Sequence, residues 1–281
     1  MMSQKHNVDI PPRHRPFQPA ILAISLAVIV LLIHVPGISR LLGPLWALVI
    51  YDLIVAGAAI YAAFLATHLW RAHERGEKLS LVWGYIATGL ILWALGEIIW
   101  SSDQLWGGNS LPYPSMADVF WILGYFPLIF ALGLRYYMLG VIPNKGWQIA
   151  SLAVYLGLFG LAVWMILLPI YTDADTTRVF EKTVNLLYPI GDLIVGFLAA
   201  VLLMVLIDGT LFRSWGLVAL GFFCAAVSDL LYTWAVWQGT FEVNPAGGTN
   251  FGSATINVLY AAFYLFVAVG LYRQARSKNA I

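Results

Sequence analysis

Eight long apolar stretches, separated by short polar segments, constrain this chain more than any other feature. A helix needs about 20 apolar residues to cross the hydrocarbon core of a bilayer, where the backbone must satisfy its own hydrogen bonds. The sequence therefore predicts an all-α, polytopic integral membrane bundle of eight transmembrane helices. The predicted spans cover residues 18–36, 44–69, 80–101, 117–138, 147–170, 184–208, 214–237 and 253–274.

Composition favours a membrane protein and argues against nucleic acid as a partner. Of the 281 residues, 61% are hydrophobic and 10% are charged, whereas a soluble domain is about half apolar and about a quarter charged. The 15 basic and 14 acidic residues nearly cancel, so no basic surface for a polyanion is expected. No cofactor or metal site is predicted, because the five histidines include no pair at metal-ligand spacing.

The distribution of Lys and Arg predicts that both termini are cytoplasmic, in a bacterial inner membrane. With that orientation the outer side carries only Arg40, Arg178 and Lys182, and the other basic residues face the cytoplasm. Residues 1–17 are expected to form a disordered cytoplasmic tail, and residues 275–281 a short second one.

The chain is predicted to contain one four-helix unit twice, at 18–138 and 147–274. Two units with an even number of spans insert the same way up, so the repeat is parallel, with its axis along the membrane normal. The matching segments are 51–55 (YDLIV) with 191–195 (GDLIV), 96–100 (GEIIW) with 228–232 (SDLLY), and 118–121 (DVFW) with 257–260 (NVLY). Tyr125 and Tyr264 also occupy matching places.

Polar residues of the two units fall in the outer half of the predicted bilayer. Asp52 and Asp192 lie about eight residues from the outer ends of their spans, at about 1.5 Å per residue. Glu97 and Asp229 lie toward the outer ends of spans three and seven, and Asp118 and Asn257 begin spans four and eight. Buried carboxylates are costly and are functional candidates. Since none lies in the inner half, the pattern favours a vestibule open to the outside.

Aromatic residues repeat beside these polar residues, three positions further along each helix, so that each pair shares a helix face. Aromatic walls around carboxylates suit an amine, a cation or a planar ligand with donor groups. No catalytic residue is assigned. The predicted ligand-binding residues are Asp52, Glu97, Trp100, Asp118, Trp121, Asp192, Asp229, Tyr232, Asn257 and Tyr260.

Structural roles compete with ligand binding at the same positions. Residues 114–118 (PSMAD) have the form of a capping box. Glu97 is close enough to the interface to be solvated, and the deeper aspartates could hydrogen-bond neighbouring helices. An enzyme is not expected. Tyr51-Asp52 and residues 189–192 (PIGD) look a little like the paired aspartates of presenilin-type intramembrane proteases, but the sequence lacks the Pro-Ala-Leu triplet of those enzymes.

Three segments carry a resemblance: 114–125 (PSMADVFWILGY), 188–192 (YPIGD) and 226–232 (AVSDLLY). The chain resembles the multi-span sensor regions that precede the GGDEF domains of bacterial diguanylate cyclases, from about residue 80 onward. The resemblance implies sensing of a ligand or of the membrane state. Because the sequence ends shortly after the last span, we expect output through a cytoplasmic or membrane partner and no cyclase activity.

Three functions stay open at this point. The favoured one is a non-enzymatic inner-membrane sensor that lies in the lipid bilayer, binds an unknown small molecule and signals through a partner. A transporter of a small molecule or cation also fits two parallel repeats with acids at their interface. The third is a structural subunit of a membrane complex, in which the acids only join helices.

Overall fold

A computed structural model describes residues 18–106, 113–140, 145–173, 179–207, 209–242 and 250–278, and the predicted disordered tail at 1–17 lies outside them. Every regular element in these ranges is helical. In chain order they are α1 (Pro19–Ile33), α2 (Pro36–Leu42), α3 (Pro44–Arg71), α4 (Lys78–Trp106), α5 (Met116–Leu139), α6 (Lys145–Ala162), α7 (Leu168–Thr172), α8 (Val179–Leu206), α9 (Trp215–Trp237) and α10 (Phe251–Ser277).

Seven helical segments of the described chain are long and apolar enough to cross a membrane, and the predicted first span differs from a straight helix. The helix α1 has 15 residues, or about 22 Å at about 1.5 Å per residue, which is less than the hydrocarbon core. The chain then bends by 88° into α2. Pro36 opens α2, and a proline disfavours a helical residue before it. An eighth span exists only if this bent pair counts as one.

The fifth span is a helix in three parts. A π-helical turn, Val163–Leu167, joins α6 to α7, and residues Leu152–Thr172 form the apolar segment. Pro169 lies just after this turn and has no N–H to donate to the preceding turn. A local change of helical hydrogen bonding at that point follows from the missing donor.

Six helices close a ring. The helix α3 packs on α4, α4 on α5, α5 on α8, α8 on α9, α9 on α10, and α10 packs back on α3. Outside the ring, α1 lies against α10 and α3, and α6 and α7 lie against α8. Consecutive helices alternate in direction, so α3, α5, α8 and α10 all finish at one end of the bundle, here called the basic end. The opposite end is called the acidic end.

Close contact between α4 and α5 depends on glycine. A Cβ on Gly124 would lie 2.2 Å from Cδ1 of Trp93, and a Cβ on Gly96 would lie 2.6 Å from Nε1 of Trp121. Each helix thus places an indole over a glycine of the other. The Nε1–H of Trp93 also donates to the carbonyl oxygen of Trp121 at 2.8 Å. This packing fixes the Trp121 ring beside the acidic residues of α4.

Aromatic side chains fill the middle of the ring. Trp93 contacts Phe222 and Phe263 edge to face, with ring centroids 6.3 and 5.4 Å away. Nearer the basic end, the rings of Trp83 and Trp215 pack at 4.4 Å. These contacts join α4, α9 and α10, and Leu128 and Leu132 of α5 belong to the same apolar core.

Several helices extend past the predicted spans. The helix α4 continues to Trp106 and α8 begins at Val179, five residues beyond each expected boundary. The helix α10 continues to Ser277, so the tail expected at 275–281 starts three residues later than predicted. Its last turn is held by Gln274, whose Oε1 accepts a hydrogen bond of 2.8 Å from the hydroxyl of Ser214.

Candidate functional site

The ring brings carboxyl groups from five helices to the acidic end of the bundle. Asp52, Glu97, Asp118 and Asp192 are each 5% exposed or less, and Asp229 is half-buried. The open vestibule expected from the sequence is therefore wrong for this structure, in which these side chains are enclosed. Cavities of about 470 and 230 Å³ lie elsewhere, one against the start of α1 and the end of α10, the other between α9 and α10.

Glu97 accepts three hydrogen bonds through one oxygen. Its Oε1 receives the hydroxyls of Tyr260 at 2.5 Å and Tyr264 at 2.8 Å, and Nε1–H of Trp121 at 3.2 Å. The expectation that Glu97 is solvated near the interface is wrong, since it is only 3% exposed. The helix α4 continues nine residues beyond Glu97 to Trp106, which places this carboxyl deeper than the predicted span did.

Asp192 joins α8 to α5. Its Oδ1 accepts a hydrogen bond of 2.5 Å from the hydroxyl of Tyr125. The neighbouring Gly191 allows this approach, because a Cβ there would lie 2.8 Å from the Tyr125 ring. The other oxygen of Asp192, Oδ2, is buried and has no hydrogen-bond partner among the described residues.

Asp118 has the structural role that the capping box predicted. Its Oδ2 accepts the backbone N–H of Ser115 at 2.5 Å, and the hydroxyl of Ser115 accepts the N–H of Ala117 at 3.1 Å. The capping-box prediction is confirmed. In addition, Oδ1 of Asp118 accepts a hydrogen bond of 2.6 Å from Tyr188 of α8, so this residue both starts α5 and ties it to α8.

Tyr113 extends this contact before α5 begins. Its hydroxyl donates to Oδ1 of Asn185 on α8. Burial, followed by the nearby Asp118 carboxylate, raises the pKa of Tyr113. The phenol therefore stays protonated and remains a donor.

Asp52 and Asp229 complete a group of carboxyls that interact through space. Asp229 lies in electrostatic range of Glu97 and of Asp192, and Asp52 lies in range of Glu97. Neither Asp52 nor Asp229 accepts a hydrogen bond from a residue that the structure describes, and Oδ2 of Asp52 is fully buried. These four residues, Asp52, Glu97, Asp192 and Asp229, are called the acidic cluster.

Asn257 does not begin a helix, although the sequence predicted that it would. The helix α10 begins six residues earlier, where Asn250 caps it by accepting the N–H of Ser253 at 2.8 Å. The side-chain nitrogen of Asn257 instead donates to Nε2 of His34 at 3.0 Å. The backbone carbonyl oxygen of Asn257 accepts a hydrogen bond of 3.3 Å from the hydroxyl of Tyr51. Asn257 therefore fastens the bend between α1 and α2 to α10.

Trp100 and Tyr232, the other two predicted aromatic residues, differ in how they relate to the carboxyls. Trp100 packs on Trp121 with ring centroids 5.9 Å apart, and so supports a residue that bonds to Glu97. Tyr232 packs on Phe241 at 4.8 Å and is 38% exposed. In the described chain its hydroxyl donates to no residue of the acidic cluster.

Several residues that the sequence prediction omitted contribute directly. Tyr125, Tyr188 and Tyr264 donate to carboxylates, while Tyr51 and His34 hold Asn257. The predicted repeat contains a signal for two of them, since it pairs Tyr125 with Tyr264. His34 carries no such signal, because its contact depends on the bend after α1.

The acidic cluster has no basic partner in the described chain. Within the described ranges no lysine, arginine or histidine pairs with its carboxyls, and no group of three or more His, Cys, Asp or Glu residues could hold a metal ion. Charges brought out of water without a partner are very costly. Such a group is stable when its carboxyls carry protons or when a cation lies among them.

Comparison with known proteins finds no family model, no curated protein and no solved structure that matches the chain.

Proposed function

We propose that this multi-pass membrane protein is a non-enzymatic sensor whose acidic cluster binds a small organic cation and thereby loosens contact between its two halves. The strongest support is that most hydrogen bonds to the carboxylates connect the first half of the chain to the second. Tyr125 and Asp118 of the first half bond to Asp192 and Tyr188 of the second, and Glu97 bonds to Tyr260 and Tyr264. Among the described side-chain donors to Glu97, Asp118 and Asp192, only Trp121 lies in the same half as its acceptor.

A cation would compete for the oxygens that hold the halves together. The free oxygens Oδ2 of Asp52 and Oδ2 of Asp192 offer it initial contacts that cost no existing hydrogen bond. Full coordination would then draw Glu97 or Asp192 away from their tyrosines. Because a ligand shifts an equilibrium only through unequal affinity for two states, this competition gives the cation a reason to favour a loosened state.

The rings around the acidic cluster favour an organic cation over a metal ion. Tyr125, Tyr260, Tyr264 and Trp121 donate their O–H or N–H groups to these carboxyls, which places four aromatic rings beside them. A cation that reached the faces of such rings would gain about 0.5–2 kcal/mol from cation–π attraction. A primary or quaternary amine satisfies both the carboxylates and the rings, whereas a small metal ion would use the oxygens alone.

The parallel repeat is part of the proposal and is supported by matching helix contacts. A Cβ on Gly89 would meet Leu128 and the carbonyl oxygen of Gly124, and a Cβ on Gly221 would meet Val267 and the carbonyl oxygen of Phe263. The members of each matching pair are separated by 132 residues on α4 and α9 and by 139 residues on α5 and α10. Unequal partners at Glu97 and Asp229 make the two half-sites different, which suits one asymmetric ligand.

The filled core counts against the transporter interpretation. Trp83 and Trp215 pack together between the acidic cluster and the basic end, and both are 1% exposed or less. No carboxyl of the described spans lies beyond them toward the basic end. A core that is filled between the acidic cluster and the basic end fits sensing better than transfer across the membrane.

The proposal also includes the orientation of the protein, the membrane in which it lies and the partner that receives its signal. The basic loops would face the cytoplasm of a bacterial cell, the acidic end would face outward, and the signal would pass to a cytoplasmic or membrane partner. This part depends on the distribution of Lys and Arg and on the resemblance to sensor regions of diguanylate cyclases.

Native mass spectrometry of protein extracted in a mild detergent tests the proposal. Wild-type protein should retain a small cationic adduct, and protein with Asp192→Asn and Asp229→Asn together should lose it. Glu77→Gln changes an exposed acid in the loop before α4 and should leave the adduct in place. Absence of an adduct from wild type, or its persistence in the double variant, would contradict a ligand site and favour a purely structural role for the acids.

A further inference from the structure

A second group of buried polar side chains lies at the basic end, far along the helices from the acidic cluster. Arg135 is placed four residues before the end of α5, Trp83 lies in the first turns of α4, and His73 follows α3. Their exposed fractions are 7%, 0% and 9%. Burial of an arginine to this extent without a carboxylate partner is unusual.

These residues form one continuous group through aromatic contacts. The rings of His73 and Trp83 lie 6.5 Å apart, and Trp83 packs on Trp215 at 4.4 Å. The guanidinium carbon of Arg135 then lies over the Trp215 ring, 4.4 Å from its centroid. The positive charge is therefore held on an aromatic face at the end of a stack that crosses from α4 to α9.

Three nitrogen atoms in this group have no hydrogen-bond partner among the described residues: Nε of Arg135, Nε1 of Trp83 and Nε2 of His73. Stacking on Trp215 stabilises the face of the guanidinium but does not satisfy its Nε–H group, which lies in the guanidinium plane. An arginine keeps its charge in a protein, so the group combines a fixed positive charge with at least two unused N–H donors.

We infer that Arg135, Trp83 and His73 form an anion-binding site at the basic end, for a phosphate-bearing molecule. Guanidinium matches phosphate with parallel N–H donors, and the indole N–H of Trp83 supplies a further one. His73 donates Nδ1–H to the carbonyl oxygen of Leu69 at 2.7 Å, which holds its ring beside that of Trp83. This site is independent of the proposed cation site.

Two sources could supply the same phosphate chemistry. One is the headgroup of an anionic phospholipid at that surface of the bilayer, and the other is a phosphorylated solute. Neither Glu74 nor Glu77, which are exposed in the loop beside His73, forms an ion pair with Arg135 in the described chain. Neither of these glutamates therefore takes the place of the proposed anion at the Arg135 guanidinium.

Thermal unfolding of the full chain tests this site. Wild-type protein in detergent would be titrated with inorganic phosphate and pyrophosphate, and protein in nanodiscs of phosphatidylcholine would be compared with protein in nanodiscs containing phosphatidylglycerol. Arg135→Gln removes the charge, and Trp83→Phe removes one N–H while keeping the ring stack. Arg75→Gln, at an exposed arginine in the loop after α3, is the matched control.

An anion should raise the unfolding midpoint of wild type and Arg75→Gln, and Arg135→Gln should show no rise. Trp83→Phe should weaken anion affinity about tenfold, as expected for one hydrogen bond to a charged group. A response to phosphatidylglycerol alone supports the site and identifies a lipid as its source, and a response to free phosphate or pyrophosphate supports a solute. No response from either source, or an equal response in Arg135→Gln, would overturn the inference.

Discussion

Tyr125 of α5 donates a hydrogen bond of 2.5 Å to Asp192 of α8 and thereby joins the two halves of the bundle at the acidic cluster. Because the second oxygen of Asp192 is buried without a partner in the described chain, this phenol is its main source of stabilisation. In the proposed sensor, the Asp192 carboxyl would both bind the cation and hold α8 to α5. Competition between those roles is the physical basis of the proposed sensor.

Tyr125→Phe should lower the free energy of unfolding by about 1 kcal/mol, because a hydrogen bond between membrane helices contributes about 0.6 and up to about 1.7 kcal/mol. Unfolding in mixed micelles with increasing denaturing detergent measures the change. Tyr137→Phe is the control, since this residue of α5 is 72% exposed, and it should have little effect. Equal effects of the two substitutions would show that the Tyr125 hydroxyl does not stabilise the fold.

Gly124→Ala should destabilise the bundle by about 1–3 kcal/mol, the usual cost of overpacking a core. The new Cβ would lie 2.2 Å from Cδ1 of Trp93, so the indole must move away from the carbonyl oxygen of Trp121. Gly133→Ala on the same helix meets nothing within 4 Å and should be nearly neutral. The same unfolding assay compares them, and a neutral Gly124→Ala would contradict the packing of α4 on α5.

Glu97→Ala should destabilise the protein more than Asp229→Ala does. Truncation of Glu97 leaves Trp121, Tyr260 and Tyr264 without their acceptor, and a buried unsatisfied donor costs about 1–3 kcal/mol. Asp229 accepts no hydrogen bond from the described residues, and its removal relieves repulsion with Glu97 and Asp192. The free energies of unfolding of both variants give the comparison, and the reverse order would show that the hydrogen bonds to Glu97 are not stabilising.

Cysteine labelling tests the proposed orientation. In a Cys224→Ala background, Arg75→Cys in the loop after α3 and Gln238→Cys after α9 provide exposed thiols at opposite ends of the bundle. A reagent that does not cross membranes should label Gln238→Cys in intact cells and Arg75→Cys only after permeabilisation. The opposite pattern would place the basic end outside the cell.

Much of the helical architecture follows from the sequence, because the length of an apolar run is a local property. Seven helices long enough to span a membrane lie where the apolar runs predict them, and the capping box at Ser115 and Asp118 needs only neighbouring residues. The sequence prediction missed the bend between α1 and α2. An apolar run from residue 18 to 36 does not indicate that the helix changes direction after Ile33.

The partners of the acids depend on contacts between distant parts of the chain. Asp192 and Tyr125 could each be identified as repeated residues, but their pairing requires the closure of α5 on α8. The burial of Glu97 was missed because it depends on the extension of α4 to Trp106, beyond the apolar run. Asn257 was misplaced since Asn250, and not Asn257, caps α10.

Binding of an organic cation to the acidic cluster can be measured by calorimetric titration of the purified protein. Methylammonium, choline and putrescine serve as probes, with wild type, the Asp192→Asn/Asp229→Asn double variant and Glu77→Gln compared in the same detergent. At least one probe should bind saturably to wild type and to Glu77→Gln, with affinity reduced at least tenfold in the double variant, which corresponds to about 1.4 kcal/mol. Binding of equal affinity in the double variant, or no binding of any probe to wild type, would contradict the proposed cation site.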